Sequence, residues 1–248
     1  MSLSNTKSLA ERNNTIILVV SYLCLLYLVV SFATKSGFFD STEPVLYNEI
    51  EFNVLSSMPK KEEAAKILHD VDSQIDKIRK HIDSKFSDDY ILDQEVKFKG
   101  KGDLLRKIKR RLSTTYKRDS LKENYPSKPK VDVSYNLNKG NTIALCLRNY
   151  ENVEDFHEFN EIMFVSIHEL AHSLNCDETS LLCGNSYGHD NMFWYIFKIL
   201  LENAIECEAY KKKDYRDSPV QYCSMKITYS PLYDKSLDDV NMMKTNWS

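Results

Sequence analysis

The stretch His168-Glu169-Leu170-Ala171-His172 constrains the folding of this chain more than any other feature of it. Two imidazoles four residues apart reach one point when they sit on a helix, which puts positions i and i+4 on one face about a turn apart. The neighbouring residues agree. Ile162, Met163, Val165, Ile167, Leu170 and Leu174 make Phe159–Asn175 apolar enough for a buried helix. Unliganded histidines in such a helix would carry a desolvation cost. Zinc removes that cost, since it takes nitrogen ligands at about 2.0–2.1 Å and keeps one position open in catalytic sites. Glu169, beside the first histidine, is then placed to accept a proton from a water acidified by the ion. The spacing therefore predicts two ligands and a general base from one short segment.

Catalytic zinc needs a third protein ligand. His189 in Gly188-His189-Asp190 is the best candidate, because it falls in the loop that opens a second apolar helix expected over Met192–Tyr210. The alternative is Glu202 in Leu201-Glu202-Asn203, which would make a site of two histidines and one glutamate. His69, His81 and His157 belong to no motif, and surface positions are expected for them.

A second feature lies near the start. Thr15–Ala33 reads TIILVVSYLCLLYLVVSFA without a charge, enough for a transmembrane helix of ~20 residues. A helix pairs every backbone group within the segment, as lipid requires. Lys7 and Arg12 precede the run and Lys35 follows it, a small positive excess that orients the N-terminus to the cytoplasm. Ser31-Phe32-Ala33 also fits a signal-peptide cleavage site, although the apolar run exceeds the usual signal core. The expected organisation is a tail over 1–14, a membrane helix over 15–33, a linker over 34–59 and a catalytic domain over 60–248.

Within that domain Leu68, Val71, Ile75, Ile78 and Ile82 recur at threes and fours, a narrow apolar stripe that fits docking or a short coiled coil. A second amphipathic helix is expected around Leu104–Tyr116, with Leu104, Leu105, Ile108 and Leu112 on one side. Val131, Val133, Tyr135 and Leu137 alternate with polar residues, Asn138-Lys139-Gly140-Asn141 supplies turn chemistry, and Ile143, Leu145 and Leu147 resume the alternation. That pattern is a β-hairpin. Its strand Thr142, Ile143, Ala144, Leu145 is a candidate edge on which an extended peptide could add. Only 6 glycines and 6 prolines in 248 residues argue against an all-β fold. The fold class is thus α+β.

The net charge of −3 presents no basic field for nucleic acid. Outside the apolar run five cysteines remain, Cys146, Cys176, Cys183, Cys207 and Cys223, irregularly spaced and without a CxxC pair. Buried free thiols are expected, with a Cys176–Cys183 bond as the option for an oxidising compartment.

HELAH followed by GHDNMFW is similar to the minimal zincins of the SprT-like and WLM kind. The fuller set VSYNLNKGNTIALCLR, FVSIHELAHS, GHDNMFWYIFKILLENAIE and PVQYCSMKI resembles the WLM-like metallopeptidases encoded by large DNA viruses. The resemblance runs from the Leu68 helix to about Ile227. It implies a minimal zincin-like domain, one Zn2+ on His168, His172 and His189, Glu169 as catalyst, a protein or peptide substrate, and a viral origin. Related cellular proteases act on proteins crosslinked to DNA, a substrate that the acidic balance and the expected anchor do not predict here. The resulting expectation is a membrane-anchored zinc peptidase on a viral or virion membrane. The alternative is a non-catalytic structural or peptide-binding protein that retains the zinc site. The shared Tyr222-Cys223-Ser224-Met225 has no derivable role, and Tyr222 and Tyr187 are candidate oxyanion stabilisers.

Overall fold

The computed structural model describes residues 16–28, 42–126, 134–137, 142–175 and 189–238. The chain divides into two compact units, Met1–Asp40 and Ser41–Ser248. The first contributes a helix α1 over 16–28, with its side chains exposed.

The expectation of a single-pass membrane protein is corrected at this point. No helix among the described residues is long and apolar enough to cross a membrane. The described part of α1 rises about 20 Å at 1.5 Å per residue, against the ~30 Å of a hydrocarbon core. The remaining residues of Thr15–Ala33 lie outside the described ones.

The second unit is α+β. Strands β1 (Thr42–Tyr47), β2 (Ile50–Leu55), β3 (Leu121–Asn124), β4 (Tyr135–Leu137) and β5 (Thr142–Cys146) form one sheet in the order β1-β2-β3-β5-β4. The β1–β2 and β4–β5 pairs are antiparallel, and β2–β3 and β3–β5 are parallel. The linker expected over 34–59 is therefore replaced in part by a hairpin. Its turn residues Asn48 and Glu49 have φ of 48° and 65°, the left-handed pair that a two-residue hairpin turn requires. The sequence signal was present in Ile50, Phe52 and Val54, whose alternation puts Phe52 and Val54 in the core.

Helix α2 (Lys61–Lys85) buries Ala64, Ala65, Leu68, Val71, Ile75, Ile78 and Ile82. It packs on β1, β2 and β3 and on three helices, α4 (Lys101–Thr115), α5 (Phe159–Asn175) and α6 (Asn191–Glu206). The apolar stripe thus docks within the unit. A further helix, α3 (Asp88–Lys97), starts at Ser87, whose side chain accepts the Tyr90 N–H. A two-stranded sheet, β6 (Val220–Tyr222) with β7 (Met225–Ile227), closes the described chain with two short 3-10 turns.

One buried ion pair fastens the sheet. Arg148, just past β5, donates from Nε to Glu123 of β3 at 2.6 Å, with both side chains fully buried. Glu123 also accepts the Leu55 N–H of β2 at 2.9 Å, and Arg148 Nη1 donates to the Val153 carbonyl at 2.9 Å. Burial pushes the Glu123 carboxyl upward, and the guanidinium opposes that shift.

Candidate metal centre

Helix α5 and the residue just before the cap of α6 deliver three histidines to one place. His168 and His172 project from α5 one turn apart, with their Nε2 atoms 3.2 Å from each other. His189, just before α6, brings its Nε2 to 3.0 Å from that of His168. Ligand atoms from all three lie within 4.8 Å of one another. In a tetrahedral zinc site nitrogens stand about 3.3 Å apart, so little movement separates this arrangement from a coordinated one.

Local chemistry fixes His189. Asp190 caps α6, accepting the Phe193 N–H at 2.7 Å, and also accepts from Asn175 Nδ2, at the end of α5, at 3.1 Å. The residue before that cap is thereby held against α5. Phe193, Trp194 and Phe197 of α6 form the wall, with the Phe193 ring centroid 4.8 Å from His168, 4.3 Å from His172 and 4.6 Å from His189.

That wall sets the protonation of the site. Burial drives His168 well below the ordinary histidine value, and the like-charge neighbours His172 and His189 add to the shift. His172 falls to about 4, by burial and then by His189, with Asp190 opposing. His189 is lowered by burial, again opposed by Asp190. Neutral imidazoles with free lone pairs are the form that binds metal.

Helix α5 is gripped from two sides. Asn136 of β4 donates from Nδ2 to the Glu169 carbonyl at 2.7 Å and bonds Ser173 Oγ as well. Arg111 of α4 donates to the Ser173 carbonyl from Nε at 3.2 Å and from Nη2 at 2.7 Å. Glu169 itself is buried, adjacent in sequence to His168.

Several expectations change. Glu202 is not in this cluster; its electrostatic neighbours are Lys198, Lys101 and Lys85. The Thr142–Leu145 segment is no free edge, because β5 pairs with β3 on one side and with β4 on the other. The edge beside α5 is β4. Tyr222 is fully buried and donates its hydroxyl to the Cys146 carbonyl at 2.6 Å, a structural bond. Tyr187, Cys176 and Cys183 lie outside the described residues. Cys146 and Cys223 are joined as a disulfide, which corrects the expectation of free thiols for these two. His157 is half-buried, with its ring 4.7 Å from that of Tyr222. His69 is half-buried against Tyr47 and Phe52, and His81 pairs with Glu206.

Asn136, Arg111 and Asp190 were not singled out in the sequence. Asp190 was open to recognition as an N-cap before an apolar helix. Asn136 and Arg111 carried no local signal, since their partners lie 33 and 62 residues away.

A mixed sheet against a helix that carries two of three converging histidines makes a domain able to hold a metal ion, and comparison with known proteins specifies its kind. The WLM domain family model matches residues 106–221, from α4 to β6. "Uncharacterized protein R325" of Acanthamoeba polyphaga mimivirus is 32% identical over 174 residues, covering 70% of this chain and 76% of that protein. "Uncharacterized protein 136R" of Invertebrate iridescent virus 6 is 35% identical over 78 residues, covering 31% of this chain and 38% of that protein. The chain belongs to the WLM family of metallopeptidases. Among solved structures, Wss1 from Saccharomyces cerevisiae aligns at 21% identity over 62% of this chain and 87% of that one, with a TM-score of 0.37.

Proposed function

We propose that this chain is a zinc-dependent peptidase in which His168, His172 and His189 hold one Zn2+ and Glu169 is the general base. The observation that carries the reading is the convergence of three imidazoles, all of which burial lowers from the ordinary histidine value. Zinc, when bound, supplies a Lewis acid that polarises a carbonyl and acidifies water. Glu169 takes a proton from the attacking water and returns it to the departing amine nitrogen. The aromatic wall of Phe193, Trp194 and Phe197 limits water and strengthens the electrostatics of the site.

An extended peptide adds to β4, the strand at the edge of the sheet that packs against α5. Asn136 then ties the substrate-bearing strand to the helix that carries the base. Protein or peptide is the substrate class, with a viral setting supported by the two viral relatives.

The ligand set is tested by zinc content in the full chain. His189→Ala should lower zinc affinity by at least ~10-fold, while Glu202→Ala keeps a full complement. Loss of zinc from Glu202→Ala with retention in His189→Ala would overturn the assignment.

A further inference from the structure

Away from the histidine centre, a second group of soft donors converges at the end of β5. Cys146 is its last residue, and Cys223 lies in the turn between β6 and β7. His157 brings Nε2 to 3.4 Å from the Cys223 sulfur. Ligand atoms of Cys146, His157 and Cys223 all fall within 4.8 Å of one another. Both cysteines are buried and His157 is half-buried, so the imidazole side gives the way in.

We propose that Cys146, His157 and Cys223 form a second metal site gated by redox state, a disulfide when oxidised and a holder of a thiophilic ion such as Zn2+ when reduced.

The spacing suits both states. The two Cα atoms are 6.5 Å apart, near the wide end of the roughly 4.4–6.8 Å that a disulfide tolerates. Tetrahedral zinc with bonds of about 2.3 Å would part the sulfurs to about 3.8 Å, a shift that side-chain rotation can supply from so wide a base. Charge balances too. Two thiolates and a neutral imidazole around Zn2+ sum to zero, which suits a buried position far better than two thiolates alone. The Arg148 carbonyl oxygen is 3.5 Å from the Cys146 sulfur and 3.4 Å from the Cys223 sulfur, a neutral oxygen donor beside both.

The backbone prepares the site. Cys223 has φ of 50°, in the left-handed region, and its N–H donates to His157 Nε2 at 2.8 Å. Metal binding exchanges that hydrogen bond for coordination. Tyr222, the neighbouring residue, ties the same turn to the Cys146 carbonyl. The β6–β7 hairpin is thereby fastened to β5 in both states, by a covalent bond in one and by an ion in the other.

The redox step is balanced. Two molecules of a small thiol supply two electrons and two protons to the disulfide, and leave joined as their own disulfide. Binding of Zn2+ then displaces the two protons from the protein thiols into solvent.

The full chain, stripped by chelator, is reduced with a phosphine under anaerobic conditions and titrated with Co2+. A thiolate-to-cobalt charge-transfer band should appear in the reduced protein and be missing from the oxidised one. It should persist in His168→Ala, because the histidine centre contributes no sulfur, and vanish in Cys146→Ser and Cys223→Ser. Zinc content should rise on reduction from about one to about two per chain. If the serine variants fail to fold, His157→Ala keeps both sulfurs and must weaken Co2+ binding at least ~10-fold and change the spectrum. No band in the reduced wild type, the same band in Cys146→Ser, or an unchanged His157→Ala spectrum would each overturn the proposal.

Discussion

Replacing Asn136 tests whether the edge strand β4 positions helix α5. Its amide donates to the Glu169 carbonyl at 2.7 Å and also bonds Ser173 Oγ. Each such bond contributes about 0.5–1.5 kcal/mol net, so Asn136→Ala should cost about 1–3 kcal/mol. Asn136→Asp is the sharper perturbation. It keeps the shape but turns a donor into a charged acceptor that faces a carbonyl oxygen. The Ser173 hydroxyl can rotate to donate to the new carboxylate, whereas the Glu169 carbonyl cannot, so the penalty concentrates at Glu169. The aspartate variant should therefore be less stable than the alanine variant by about 1 kcal/mol or more, as expected when a buried acceptor loses its donor and meets a charge. Urea unfolding with an unchanged m-value measures the difference. Turnover of a peptide should fall in both variants while zinc content stays full. An aspartate variant as stable and active as wild type would refute the positioning role.

Three other outcomes are expected. Arg148→Met leaves Glu123 buried without its cation and should destabilise the unit by about 3–5 kcal/mol, read as a lowered urea midpoint, with a loss below about 1 kcal/mol counting against the structural role. In metal-free protein the histidine centre should make stability pH-dependent, because all three imidazoles titrate below their ordinary value. The unfolded chain then binds more protons between the ordinary 6.5 and about 4, so the melting temperature should drop as pH falls through that window, and a flat profile would deny the burial of the centre. Asp190→Ala removes the α6 cap and should cost about 1 kcal/mol while weakening zinc binding through His189, an effect that titration with a competing chelator detects.

What could be read from the sequence followed local periodicity. Helix α5 was legible over Phe159–Asn175 because apolar spacing and the HExxH pattern made the same demand. The stripe of α2 was equally plain, and only its partner surface awaited the fold. His189 was legible as a candidate because it stands at a helix start, a local property. The edge assignment at Thr142–Leu145 failed because strand order is not local. Nothing in that segment announces that β3, about twenty residues upstream, pairs with it in parallel. The Cys146–Cys223 bond closes a separation of 77 residues and could not be derived from cysteine spacing. The β1–β2 hairpin was missed for a different reason. Its alternation was present, but it followed an apolar run that invited the reading of a linker.

The most direct test of the account is Glu169→Gln. The substitution keeps the shape and a hydrogen-bonding group but removes the base, and Glu169 is not among the three converging ligands. Cleavage of a broad peptide and protein pool should be measured beside zinc content for wild type and variant. The account predicts full zinc, an unchanged fold and turnover lower by ~10²-fold or more. A variant as active as wild type would contradict the role of Glu169, and a zinc-loaded wild type that cleaves nothing would contradict the peptidase itself.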